Sequence, residues 1–146
     1  MKVYTLGFTK KTAQEFFTLI KENGVELLID IRLNNNSQLA GFSKGADLEY
    51  FLKELCSCRY VYDEAFTPTK EIMDGMREKK LTVEQYDATF KALMQERGAL
   101  PHFEKDYGKE KSLCLLCSEE TPRMCHRRVL ASLVKESMGQ VEVIDL

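Results

Sequence analysis

One short stretch of the chain gathers two thiols, an imidazole, a carboxylate and three guanidiniums: Cys117-x-Glu119-x-x-Pro122-Arg123-x-Cys125-His126-Arg127-Arg128. Each of these groups has a chemistry of its own. A cysteine thiolate is a nucleophile or a redox group. An imidazole changes charge near neutral pH. A guanidinium offers a planar fork to carboxylate or phosphate. Cys117 and Cys125 therefore read as nucleophile or redox thiols, His126 as the acid/base group, and Glu119 as a polarising or orienting carboxylate. Arg127, with Arg32 from far earlier in the chain, reads as an anion contact. Asn34, Thr9 and Lys70 are further candidates for binding substrate or anion. Each residue also has a plainer reading. Cys125 would be a small buried hydrophobe, His126 an inward ring bonded to a backbone carbonyl, and Arg127 the ion-pair partner of Glu119.

Two sharper chemistries use the same cysteines. Cys114-x-x-Cys117 followed by Cys125-His126 superficially fits zinc-ligand spacing. On a strand, however, positions three apart point to opposite faces. No metal and no other cofactor is therefore expected, and the odd count of five cysteines suggests reduced thiols without a structural disulfide. Cys117-x5-Arg123 is the spacing of cysteine-dependent phosphatases and rhodanese-like sulfurtransferases, and Leu28-Ile29-Asp30-Ile31-Arg32 resembles a rhodanese strand. There, loop N–H groups cradle an oxyanion beside the thiolate. Glu119 and Glu120 would put negative charge in that cradle, and the loop has no glycine for its tight backbone.

Positioning these groups requires a sheet. Residues 112–117 read as a strand, their apolar run from Leu113 to Cys117 short enough to be buried. Thr121 and Pro122 then stand where a helix N-cap and first position belong, and the helix runs to about residue 138. Cys125, His126 and Arg127 fall in its first turns, with Arg127 facing the same space as Arg32. Further strands are expected at residues 3–6, 25–31, 59–62 and 141–144. Helices are expected over about residues 13–22, 47–56, 68–79 and 83–97, with capping boxes at Thr12-x-x-Glu15 and Thr82-x-x-Gln85. Residues 33–46 read as one long loop, and residues 98–110 as irregular with His102 on the surface. The alternation gives an α/β class: one domain over residues 1–146, a mostly parallel sheet of about five strands flanked by helices. In such sheets ligands collect beyond the carboxyl ends of the strands. The ends near Gly7, Arg32 and Cys117 should lie side by side under the loop of residues 33–46. Asp30-x-Arg32 places two charges on one strand face, and there Asp30 reads as structural.

The formal charge of −2 does not imply a nucleic-acid partner, though a local basic patch remains compatible with one. Apolar content of 44% and charged content of 30% are ordinary for a globular protein, and no apolar run reaches membrane-span length. No membrane partner is expected. The strand-like start at Lys2-Val3-Tyr4 lacks a signal-peptide pattern, which with reduced thiols suggests a cytoplasmic protein.

The Cys-x-Glu-x-x-Pro-x-x-Cys-His-Arg-Arg end resembles the signature of the domain of unknown function 488 family. The likeness includes Tyr4-Thr5-Leu6-Gly7-Phe8-Thr9, Leu27-Leu28-Ile29-Asp30-Ile31-Arg32-Leu33-Asn34, Ser37-Gln38-Leu39-Ala40-Gly41-Phe42, Pro68-Thr69-Lys70-Glu71 and the closing residues 141–146. The resemblance implies a compact α/β domain, found mostly in prokaryotes, with no established reaction. The family often carries a histidine before the Pro68 position, where this chain has Tyr62, Asp63 and Glu64. Residues and resemblance together suggest an intracellular enzyme or ligand-binding domain acting on a small anionic, nucleotide-like substrate. The alternatives are the cysteine-dependent phosphatase or sulfurtransferase and a non-catalytic module binding a nucleotide or nucleic acid.

Overall fold

The computed structural model describes residues 1–36, 41–78, 80–118 and 125–146. Five strands form one all-parallel sheet in the order β3-β2-β4-β1-β5: β1 (Lys2–Gly7), β2 (Leu27–Asp30), β3 (Arg59–Tyr62), β4 (Ser112–Cys117) and β5 (Glu142–Asp145). β4 is buried at every position, as a strand covered on both faces must be. The α/β class read from the alternation is what the chain forms.

The faces are covered by different stretches of sequence. α1 (Ala13–Glu22) and α2 (Gly45–Cys56) pack on Tyr4, Leu6, Leu28, Cys114 and Leu116. α3 (Lys70–Arg77), α4 (Val83–Glu96), α5 (Ala99–Tyr107) and α6 (His126–Met138) pack on Val3, Leu27, Ile29, Leu113 and Leu115. β2 therefore leaves its carboxyl end toward one face and its neighbour β4 toward the other. That divergence is a topological switch point, where the outgoing connections open a crevice. Among the described residues no helix is long and apolar enough to cross a membrane.

Several elements differ from the sequence reading. Residues 98–110 are not irregular: α5 starts after Gly98, whose φ of 63° breaks the line from α4, and buries Phe103 and Tyr107 four apart. Pro101 lies in its first turn, where a missing N–H costs no hydrogen bond. α3 is capped by Thr69, whose side chain accepts from Ile72 N at 3.2 Å, so Thr67-Pro68 lies outside the helix. A 3-10 turn (Glu64–Phe66) precedes it. The long loop holds a 3-10 turn (Gly41–Ser43), and α2 begins at Gly45. Gly45 leaves room for the Asn35 amide: a Cβ there would stand 2.8 Å from Asn35 Nδ2 and force that side chain to shift. Its N–H donates to Asn35 O at 2.7 Å, pinning the loop to the helix start.

Candidate functional site

The register places the three strand ends together. Gly7 pairs with Cys117, Asp30 pairs with Leu116, and Ile31 N donates to Leu116 O at 3.1 Å. A cavity of about 200 Å3 opens over the β2 and β4 ends. Arg32, Asn34, Cys117, Cys125 and His126 line it, five of the residues singled out by type and spacing.

Arg32 reaches the cavity from a buried pair with Asp30. Arg32 Nε donates to Asp30 Oδ1 at 2.8 Å and Nη2 to Oδ2 at 2.7 Å, while Nη2 also donates to Ser43 O at 2.7 Å. The guanidinium carbon lies 5.3 Å from the Phe8 ring centroid. Tyr60 OH adds a 2.6 Å hydrogen bond to Asp30 Oδ2, and burial, then this bond, raises the tyrosine pKa. Asp30 is thus structural, as the two-residue spacing suggests. Arg32 is only 2% exposed, and its Nη1 is buried without a hydrogen-bond partner among the described residues.

The sulfur chemistry sits at the β4 end. The sulfurs of Cys117 and Cys125 are in bonding contact, their Cα atoms 7.5 Å apart. The expectation of reduced thiols without a structural disulfide is not confirmed at this pair, and the contact was not foreseen. Its physical reason is local: Cys125 is not inside a helix begun at Pro122 but is the extended N-cap of α6, at φ −134° and ψ 135°. That turn lets its side chain meet the β4 end. Cys114, three residues before Cys117, packs on the opposite face, so the zinc spacing is split by the sheet. The remaining thiols are disfavoured as thiolates by burial, which raises Cys114 and Cys56 and pushes Cys58 up to about 12.

His126 is oriented from both sides. Nε2 lies 2.6 Å from Ile31 O, which only accepts, so Nε2 carries the proton and Nδ1 presents a lone pair. That lone pair faces Cys125 Sγ at 3.8 Å. Burial lowers the imidazole pKa to about 4, against the Ile31 hydrogen bond and with help from Arg127, so the ring is neutral at physiological pH. The plainer reading of His126 describes its Nε2; the Nδ1 side remains available to a thiol.

Arg127 is 1% exposed and does not share the cavity with Arg32, contrary to the sequence reading. From the second position of α6 it turns to β4, and its Nη1 donates to Cys117 Sγ at 2.8 Å. Thr9 and Lys70 are exposed and do not line the cavity. Thr9 Oγ1 and N both bind Ser118 O, joining the β1 and β4 ends. Asn34 lines the cavity while its Oδ1 accepts from Asn36 N at 2.9 Å. Glu119, Thr121, Pro122 and Arg123 lie outside the described residues, and with them the phosphatase-like cradle.

Sequence reasoning missed the far wall. Met73, Met76 and Arg77 line it from α3, and Tyr86 from α4. Their signal was present: 73, 76 and 77 are i, i+3 and i+4 on one helix face. Tyr60 and Tyr62 were missed as loop holders; Tyr62 OH donates to Leu33 O at 3.1 Å. His102 belongs to α5, one-third exposed, with Nε2 2.8 Å from Asp63 Oδ2 and Nδ1 3.3 Å from Asp106 Oδ2. It sits away from the cavity.

No curated protein and no solved structure matches the chain. The family described as Domain of unknown function DUF488 matches residues 12–134, well over half the length. The sheet, its switch point and its sulfur-bearing edge are therefore those of a chain that belongs to the DUF488 family.

Proposed function

We propose that the chain binds a small anionic molecule in the cavity over the β2 and β4 ends and presents it to the Cys117–Cys125 pair. The observation that carries this reading is Arg32 Nη1. A buried guanidinium donor without a partner is costly, about 1–3 kcal/mol, and this one belongs to a side chain lining a cavity. A carboxylate or phosphate oxygen would satisfy it. The cavity's size of about 200 Å3 favours a small molecule over a nucleic-acid strand. The wall from Met73, Met76 and Tyr86 suits an apolar body behind the anionic group.

Calorimetric titration with propionate and with inorganic phosphate tests this. Saturable one-to-one binding of at least one of them is expected. Met73→Trp, which fills the cavity from the α3 wall and leaves Arg32 itself unchanged, should weaken it about tenfold, or about 1.4 kcal/mol. Absence of saturable binding by both ions, or equal affinity in the two proteins, would overturn the reading.

A further inference from the structure

Two cysteines at one cavity edge exceed what a single nucleophile needs. A lone thiolate suffices to attack carbon or phosphorus, whereas a second thiol beside it resolves a mixed disulfide. We propose that Cys117 and Cys125 are a thiol–disulfide exchange couple whose substrate is a small disulfide bearing a carboxylate, the carboxylate held by Arg32 Nη1. The substrate class rests on the anion-binding reading above; the exchange chemistry rests on the sulfurs.

The surroundings assign the order of events. Arg127 Nη1 donates to Cys117 Sγ at 2.8 Å, the partner that stabilises a thiolate. Cys125 instead faces the Nδ1 lone pair of His126 at 3.8 Å, which accepts from a thiol S–H. Cys117 is thus the attacking sulfur and Cys125 the resolving one. The Cys117 thiolate attacks one sulfur of R–S–S–R; that S–S bond breaks, and RS− leaves and takes a proton from solvent. Cys125 then attacks the Cys117 sulfur of the mixed disulfide. Its proton goes to solvent, and the second departing RS− takes one from solvent. Two electrons have moved from the protein to the substrate, giving two RSH and a Cys117–Cys125 bond. An external dithiol, dithiothreitol in the test, restores the pair by the same steps in reverse. The other three cysteines do not compete: Cys114 and Cys58 are buried, and burial disfavours the thiolate in all three.

The test uses the dithiothreitol-reduced, desalted protein and three symmetric disulfides: 3,3′-dithiodipropionate (anionic), bis(2-hydroxyethyl) disulfide (neutral) and cystamine (cationic). Each rate is divided by that disulfide's rate with 2-mercaptoethanol, which removes leaving-group differences. The native protein should release two RSH, lose two hydrogens, and yield a Cys117–Cys125 peptide pair on mapping. The normalised rate should fall about tenfold from the anionic to the cationic disulfide. Cys125→Ser should stop at an adduct on Cys117, and Cys117→Ser should form none at Cys125. Mapping acid-quenched native protein reads the same adduct should either variant not fold. A protein that stays reduced, or whose adduct falls on Cys56, Cys58, Cys114 or first on Cys125, overturns the exchange couple even if propionate binds. Bridge formation with equal normalised rates overturns the carboxylate class and counts against the Arg32 reading while leaving the couple standing.

Discussion

Arg32 does two jobs with one side chain. Nε and Nη2 neutralise Asp30 in a pair that is 2% and 0% exposed, and Nη1 is left over. A buried pair contributes little net stability by itself but is expensive to break. Asp30 therefore fixes where the spare donor points. His126 shows the same economy, with one nitrogen on Ile31 O and the other toward Cys125. Its pKa falls from 6.5 to about 4 on folding. Between those values the unfolded chain binds more protons, so the stability from keeping the ring neutral is present above pH 6.5 and lost as pH falls toward 4. Over that window the loss is about 3 kcal/mol. Urea melts from pH 7 to pH 4 should show His126→Gln losing less stability than the native protein by roughly this amount. Parallel pH profiles would mean that the imidazole is not held neutral.

At the scale of elements, α3 is the weakest wall of the cavity. It has 8 residues, buries only Ile72, and carries Met73, Met76 and Arg77 to the site. Its Thr69 cap matches the Thr82 cap of α4, where Gln85 completes a capping box. Thr69→Ala and Thr82→Ala should each cost about 1 kcal/mol in denaturant melts. Thr69→Ala should also weaken propionate binding more than Thr82→Ala does, because α3 brings Met73, Met76 and Arg77 to the cavity and α4 brings Tyr86; equal effects on binding would separate α3 from the site. Legibility from sequence follows the same local physics. β3 and β4 read true to the residue because apolar runs and their breaks are local, and α1 and α4 because their caps are. α5 was hidden by Gly98, Pro101 and Gly108, residues that usually break helices but here stand at its ends and in its first turn. The start of α6 was misplaced because Thr121-Pro122 satisfies a cap pattern, while the described helix starts at His126 with Cys125 as its extended N-cap.

Across the whole molecule, the sheet order β3-β2-β4-β1-β5 makes the site. It sets the β2 end beside the β4 end, with their connections leaving toward opposite faces. No sequence pattern states that order, because strand pairing is a long-range contact. Polar residues at strand ends did indicate which edge to inspect, and Arg32, Asn34, Cys117, Cys125 and His126 meet there. Arg127, Thr9 and Lys70 share the edge's residue types but not its cavity. Arg32→Lys isolates the proposed contact between Arg32 Nη1 and an anionic group. The lysine ammonium can still face Asp30 but cannot also supply the fork's third nitrogen. The variant should be less stable by about 2 kcal/mol. Thermal melts of both proteins with and without propionate read that contact directly. At about ten times Kd, propionate should raise the native Tm by about 4 °C and leave the Tm of Arg32→Lys unchanged. An equal rise in both proteins would contradict the account.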